Sequence, residues 1–177
     1  SGGQPADFAM INGRSVTHVS IREDDDAVVH WLNGASDTVN AGDVVTAVID
    51  WPRRFDHMQQ HTGQHILSQA FIQIAEAETL SFHLSENNVT IDVDRLDLTE
   101  SEIATVEQRA NQVVWENRPV TVRFVSPEEA ETLPLRKIPP ARNGRLRLIN
   151  IENFDLTACG GTHVSRTGSV GLIKLIK

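Results

Sequence analysis

The 177-residue sequence contains one cysteine, Cys159. A single thiol forms no intramolecular disulfide and excludes a metal site built mainly from thiolates. A reducing compartment fits that count. No apolar run approaches the ~18 residues a membrane helix needs. The first residues show no basic stretch followed by an apolar one, so a secretory signal is not expected, and the chain reads as cytoplasmic and off the membrane. No methionine begins it, which reads as a fragment or an ordered core. There is no internal repeat and no low-complexity tract. The H-E-x-x-H signature of many metallopeptidases is missing as well. Positive charge is scarce: 16 Lys and Arg face 24 Asp and Glu, a net charge of −8. That excludes a surface coated for nucleic acid, but leaves room for a local basic patch. What remains, 40% apolar and 23% charged residues, is ordinary for a globular chain long enough for one large domain or two small ones.

Residues 1–51 read as β structure. Asn12-Gly13, a strong hairpin signal, separates apolar runs at Phe8–Ile11 and Ser15–Arg22; the polar turn Glu23-Asp24-Asp25-Asp26 leads to a third at Ala27–Leu32, and Asn33-Gly34 repeats the hairpin signal. Val44–Trp51 reads as a long strand closed by Pro52. Strands at this spacing suggest a small barrel-like domain. Beyond Pro52 the period changes. Phe55, Met58, Ile66, Ala70, Ile74 and Ala77 recur at helical intervals over 54–77. Strands are expected at Leu80–Leu84 and Val89–Val93. A capping box, Thr99 with Glu102, opens a second long helix; Val120–Val125 follows as a strand. Ser126-Pro127 starts a short helix. Leu146–Ile151 and Val170–Ile176 read as strands. The fold class is therefore α+β, with a small N-terminal β-barrel-like domain at 1–51. A two-layer α/β domain with an antiparallel sheet follows at 52–177.

Chemistry concentrates in two short segments. His57, His61 and His65 are spaced four apart in the first long helix, which stacks them on one face. Two imidazoles so placed can grip one metal ion, but two ligands make a weak site. Cys159-Gly160-Gly161-Thr162-His163 offers a thiolate and an imidazole, again four apart. The glycines let the backbone turn both toward one point. His61, His65, Cys159 and His163 together would make a tetrahedral site of three nitrogens and one sulfur, suited to one zinc ion per chain. Each motif alone is commonplace: one as an amphipathic helix, the other as a turn. His57 is an alternative ligand, although an exposed or backbone-bonded histidine at the helix start is the better reading. His18 and His30 read as ordinary strand residues. Arg136, Lys137, Arg142, Arg145 and Arg147 form the one basic stretch without an acid, a candidate phosphate-binding patch. A solvated loop is the plain alternative.

H-T-G-Q-H at 61–65 together with C-G-G-T-H at 159–163 resembles the editing domain of alanyl-tRNA synthetase and its free-standing relatives, the AlaX proteins. Ser1-Gly2-Gly3-Gln4-Pro5 resembles the glycine-rich motif of that family. Ser81-Phe82-His83 with Thr90-Ile91-Asp92 resembles the strand pair of its editing pocket. The motifs occur in order over nearly the whole chain, and that combination is specific. The editing domain of threonyl-tRNA synthetase shares the layout but usually has proline before the last histidine, where Thr162 stands here. Nothing resembles a class II aminoacylation core. Gly-Gly-Gln-Pro looks more like the free-standing type, and strands that precede this motif in the family are not in this sequence.

The resemblance implies a trans-editing hydrolase. It would cleave the ester joining serine or glycine to the 3′ end of alanine tRNA, using zinc at His61, His65, Cys159 and His163. Gly2, Gly3, Gln4, Ser81, His83 and Asp92 are the candidate contacts to the amino acid. The physical need is clear, because one missing methyl gives a synthetase only ~1–3 kcal/mol of discrimination. A second site that hydrogen-bonds the serine hydroxyl would spare alanyl-tRNA, whose methyl leaves those groups unpaired. Two roles are open to the metal: lowering the pKa of a water, or orienting the substrate. Four protein ligands would close its shell, so Cys159 is expected to be the replaceable one. The rival readings are an editing-domain fragment of a synthetase, a non-catalytic tRNA-binding module with structural zinc, a small-molecule zinc hydrolase and a threonyl-type editing domain.

Overall fold

Asn12 and Gly13 both take left-handed backbone, φ 49° and 76°. That is the signature of a two-residue type I′ hairpin, whose twist matches that of its strands. They join β1 (Ala9–Ile11) to β2 (Arg14–Ile21) in a computed structural model that describes residues 3–34, 39–85, 88–137 and 144–176. The chain divides into two compact units, Pro5–Asp56 and His57–Lys177 with Ser1–Gln4.

In the unit Pro5–Asp56, β3 (Val28–Leu32) pairs with β2, and β4 (Ala47–Ile49) pairs with β1, giving the order β3-β2-β1-β4. All pairs are antiparallel, with a bulge in β2 between Val16 and His18. The expected barrel does not close: among the described residues β3 and β4 remain the two edges of an open sheet. Four strands, two of them three residues long, are too few to wrap a filled interior, which takes about eight. The long strand expected at Val44–Trp51 shrinks to β4. Trp51 is already helical, because Pro52 fits the first turn of a helix and the Asp50 carboxylate accepts the Arg53 amide at 3.2 Å.

Helix α1 runs Trp51–Ala75 and is followed by the hairpin of β5 (Thr79–Leu84) and β6 (Val89–Val93). Helix α2 (Glu100–Trp115) starts at the expected capping box: the Glu102 amide donates to Thr99 Oγ1 at 3.2 Å and the Thr99 amide to Glu102 Oε2 at 2.9 Å. Then come β7 (Val120–Val125), α3 (Pro127–Glu131), β8 (Leu146–Ile151) and β9 (Asp155–Ala158). The last sheet is antiparallel, in the order β7-β8-β9. One core joins Ile66, Ala70 and Phe71 of α1, Val106, Ala110 and Val113 of α2, and Ile149 and Ile151 of β8. Leu148 projects from the other face of β8 into a second cluster with Val125 and Ala130. Strand β8 is thus covered on both faces, which accounts for apolar residues at successive positions, Leu148 and Ile149, both fully buried.

Two further elements depart from expectation. The four-residue β9 carries too short a pattern to announce itself. The tail at Val170–Ile176 is apolar but forms no strand. Its backbone bonds to side chains of α2 instead: Asn111 Nδ2 donates to Ile173 O at 2.7 Å, the Ile173 amide donates to Asn111 Oδ1 at 2.9 Å, and the Leu175 amide donates to Glu107 Oε2 at 2.7 Å.

Candidate metal centre

Helix α1 is unusual in its middle. His61, Thr62, Gly63, Gln64 and His65 are all buried, although buried polar groups cost stability unless bonded. Each has a use. His61 and His65, one turn apart, converge with Cys159 and His163, and the ligand atoms of all four lie within 4.8 Å of one another. His61 Nε2 is 3.3 Å and His163 Nε2 is 3.5 Å from Cys159 Sγ. A tetrahedral ion with bonds of about 2.3 Å to sulfur and about 2.0–2.1 Å to nitrogen separates such ligands by roughly 3.5 Å. The donor set therefore has both the chemistry and the spacing for a metal ion.

The outer nitrogens are equally informative. Thr62 Oγ1 donates to Met58 O at 2.8 Å, so its oxygen accepts from His163 Nδ1 at 3.2 Å and from the Val164 amide at 3.2 Å. Gln4 Oε1 accepts from the Thr162 amide and hydroxyl, each at 3.0 Å, and lies 3.3 Å from His61 Nδ1. Asp155 Oδ2 lies 3.4 Å from His65 Nδ1. An oxygen at each Nδ1 selects the tautomer that keeps its proton there and leaves the Nε2 lone pair free. This is the arrangement found around metal-bound histidines.

The electrostatics agree. Burial would raise the Cys159 thiol, but bonds from His163, His61 and His65 hold it down at about 3. Burial, with the charges of His65 and His61, pushes His163 down to about 4 against the pull of Cys159. His65 is raised: burial opposes its charge, but Asp155 and Cys159 outweigh it. Burial works against the Asp155 carboxylate too, yet His65 and Arg136 keep it below the usual range. A thiolate at Cys159 and a neutral imidazole at His163 are the forms a metal takes, whereas the raised His65 would have to give up a proton to bind one.

Backbone geometry closes the site. A Cβ on Gly161 would lie 2.1 Å from His61 Cε1, so only glycine allows the loop this approach. The Gly161 amide points at Cys159 Sγ, 3.4 Å away. Arg147 Nη1 donates to Cys159 O at 2.6 Å and to Gly161 O at 2.9 Å.

The other expected residues divide. Gly2 and Arg142 lie outside the described residues. Gly3, at φ 77°, faces the Phe82 ring, with 3.4 Å between the ring and the position of a Cβ. Phe82 in turn lies 5.6 Å from His61, centroid to centroid. Strand alternation puts Ser81 and His83 on the hairpin face opposite Phe82. There Ser81 bonds its cross-strand partner Asp92, and His83 pairs with Thr90. Arg136 is bound to Asp155 and Arg147 to the cysteine loop, whereas Lys137 and Arg145 are exposed. His57 is corrected: it is 1% exposed rather than at a solvated helix start, because α1 begins at Trp51, and it is not among the four converging residues. His18 and His30 sit exposed in β2 and β3. Sequence reasoning missed Thr62, Phe82, Thr162 and Asp155. Thr62, Phe82 and Thr162 sit inside the short motifs but carry no metal-binding group to mark them, and Asp155 lies outside them.

Residues 146–177 match the family model described as the threonyl and alanyl tRNA synthetase second additional domain. The chain is similar to the alanyl-tRNA editing protein Aarsd1 of Mus musculus, 34% identical over 177 residues, covering 99% of this chain and 42% of the mouse protein. It is 35% identical over 177 residues to Aarsd1-B of Xenopus laevis, covering 99% of this chain and 42% of that protein. Alanine–tRNA ligase of Thermococcus kodakarensis is 33% identical over 191 residues, covering 99% of this chain but 20% of the ligase. The chain thus spans less than half the length of these relatives.

Proposed function

We propose that this chain, which resembles alanyl-tRNA editing proteins along 99% of its length, hydrolyses the ester of mischarged alanine tRNA. It would release serine, glycine or both, with one zinc ion held by His61, His65, Cys159 and His163. One observation carries the metal reading: the inner nitrogens and the sulfur converge while each outer nitrogen meets an oxygen. Zinc fits the mixed nitrogen and sulfur set, and when bound it supplies Lewis acidity beside the ester. The protein's own part is positional. Gln4 fixes His61 and the Thr162 backbone together, Thr62 fixes His163, and Gly161 brings the loop against His61. Phe82 screens one side of the His61 ring from water. Of the residues expected to meet the amino acid, Gly3 and Gln4 stand nearest the centre, and we place its recognition there with Thr162 and Phe82. Ser81, His83 and Asp92 lie on the outer hairpin face and suit a contact further along the tRNA. Among the described residues no helix is long and apolar enough to cross a membrane.

Four protein donors also suit a structural ion in a tRNA-binding module, and one assay separates the readings. The chain is incubated with seryl-, glycyl- and alanyl-tRNA of the alanine type. Release of serine or glycine with alanine spared, abolished by His61→Ala and by a chelator, is the expected result. Binding without hydrolysis would establish the structural-zinc module. Equal release from all three would sink the editing assignment.

A further inference from the structure

A buried ion pair adjoins the centre, and its arginine has no part in the function just described. Asp155 opens β9 and is 4% exposed, a costly place for a carboxylate without a partner. Its Oδ1 accepts from Arg136 Nε at 2.8 Å, and its Oδ2 lies 3.4 Å from both Arg136 Nη2 and His65 Nδ1. The Arg136 amide donates to Leu156 O at 2.8 Å, which tethers the guanidinium to the strand it serves. Along β9 the residues Asp155 and Thr157 share the buried face, and Cys159 follows two residues later in the same alternation. His65 is therefore held between a carboxylate and a thiolate presented by one strand and its extension.

We propose that Asp155, clamped by Arg136, is a positioning residue that presents His65 to the metal; this rests on reading the four donors as a metal site. His61 and His163 have neutral anchors, the Gln4 amide and the Thr62 hydroxyl. His65 alone has a charged one. A carboxylate on Nδ1 fixes the ring and makes Nε2 the better donor. Arg136 has two tasks. It keeps the buried carboxylate from standing unpaired, and its fork occupies both oxygens, so that Asp155 stays behind His65 instead of competing for the ion. Arg136 reads in the sequence as part of a surface patch; here its charge is spent inward.

The test uses the whole chain, stripped with a chelator and titrated with zinc against a chromophoric competitor. Cobalt absorption reports the ligand field. Asp155→Asn and Arg136→Met should each weaken zinc binding by about 10–100-fold and shift the cobalt bands. Arg136→Lys keeps the charge but loses the fork and should fall between. Arg118→Met removes another bonded arginine, whose Nη1 donates to Glu152 O and Asn153 O. It should lower the melting temperature while leaving zinc affinity intact. If Asp155→Asn and Arg136→Met bind zinc within about threefold of wild type, or if Arg118→Met weakens zinc as much as they do, the pair is only a core salt bridge. If the wild type holds no zinc, or His61→Ala holds it equally well, the metal reading beneath the proposal fails instead.

Discussion

At the residue scale the site depends on atoms that the binding motifs do not name. Gly161 is the sharpest case. Its hydrogen faces the His61 ring, its amide faces Cys159 Sγ and its carbonyl is held by Arg147. Gly161→Ala must displace either the ring or the loop. We expect a stability loss of about 1–3 kcal/mol, as for overpacked sites. Zinc affinity, measured by competition, should fall at least about tenfold through the misplaced His61; unchanged affinity would mean the loop yields without cost to the site. Residues of this kind are where sequence reading reached its limit. That His61, His65, Cys159 and His163 come together is legible because few side chains can share an ion and helix geometry restricts the spacing. Thr62 and Gln4 act by hydrogen bonds across 101 and 57 positions of sequence, and Asp155 faces His65 from 90 positions away. No local pattern encodes such partners. The same holds for Arg136 and Arg147, which look like surface charge until the fold turns them inward.

At the element scale, local rules proved reliable where the partners are neighbours in sequence. The Asn12-Gly13 turn and the Thr99–Glu102 box are both present because a few adjacent residues satisfy each other. The box also predicts a pH response. The Glu102 carboxylate accepts the Thr99 amide and hydroxyl and pairs with Arg95, which hold it down at about 2, well below the usual 4.5. A carboxylate lowered by folding stabilises the native state above its unfolded value. That contribution is complete above about pH 4.5 and is lost as the pH falls toward 2. Glu102→Gln should therefore melt below wild type at pH 7, with the gap closing by about pH 2, and a constant gap across that range would refute the link. Elements held by distant groups were not legible. The tail looks like a strand by its apolar content, but Asn111 and Glu107 satisfy its amides from the side of a helix, so it needs no neighbouring strand. Helix α1 starts earlier than its periodicity implies, because proline followed by a capping carboxylate's target amide is a start signal rather than a stop.

At the scale of the whole molecule, a chain of net charge −8 must confine its contact with phosphate. Two of the five clustered basic residues are engaged in the metal centre, and Arg142 lies outside the described residues. Lys137 and Arg145 are exposed, and Arg145 carries its guanidinium 5.8 Å from the Phe124 ring. The double variant Lys137→Ala/Arg145→Ala should weaken binding of alanine tRNA and flatten the plot of log affinity against log salt by about one unit for each charge removed. An unchanged slope would move the tRNA contact elsewhere on the surface.

The site also has a place in time. Its contacts join residues far apart along the chain: His61 to Cys159 across 98 positions, Thr62 to His163 across 101, and Gln4 to Thr162 across 158. Contacts of such separation form late and slowly, after the loops between them have been closed. On the ribosome the histidine pair emerges long before its sulfur partner. Until Cys159 has cleared the exit tunnel, only His61 and His65 of the four donors are available. An ion shared by all four donors would therefore load only after both segments have emerged, and a chain cut short before Cys159 would carry a complete helix with half of the donor set.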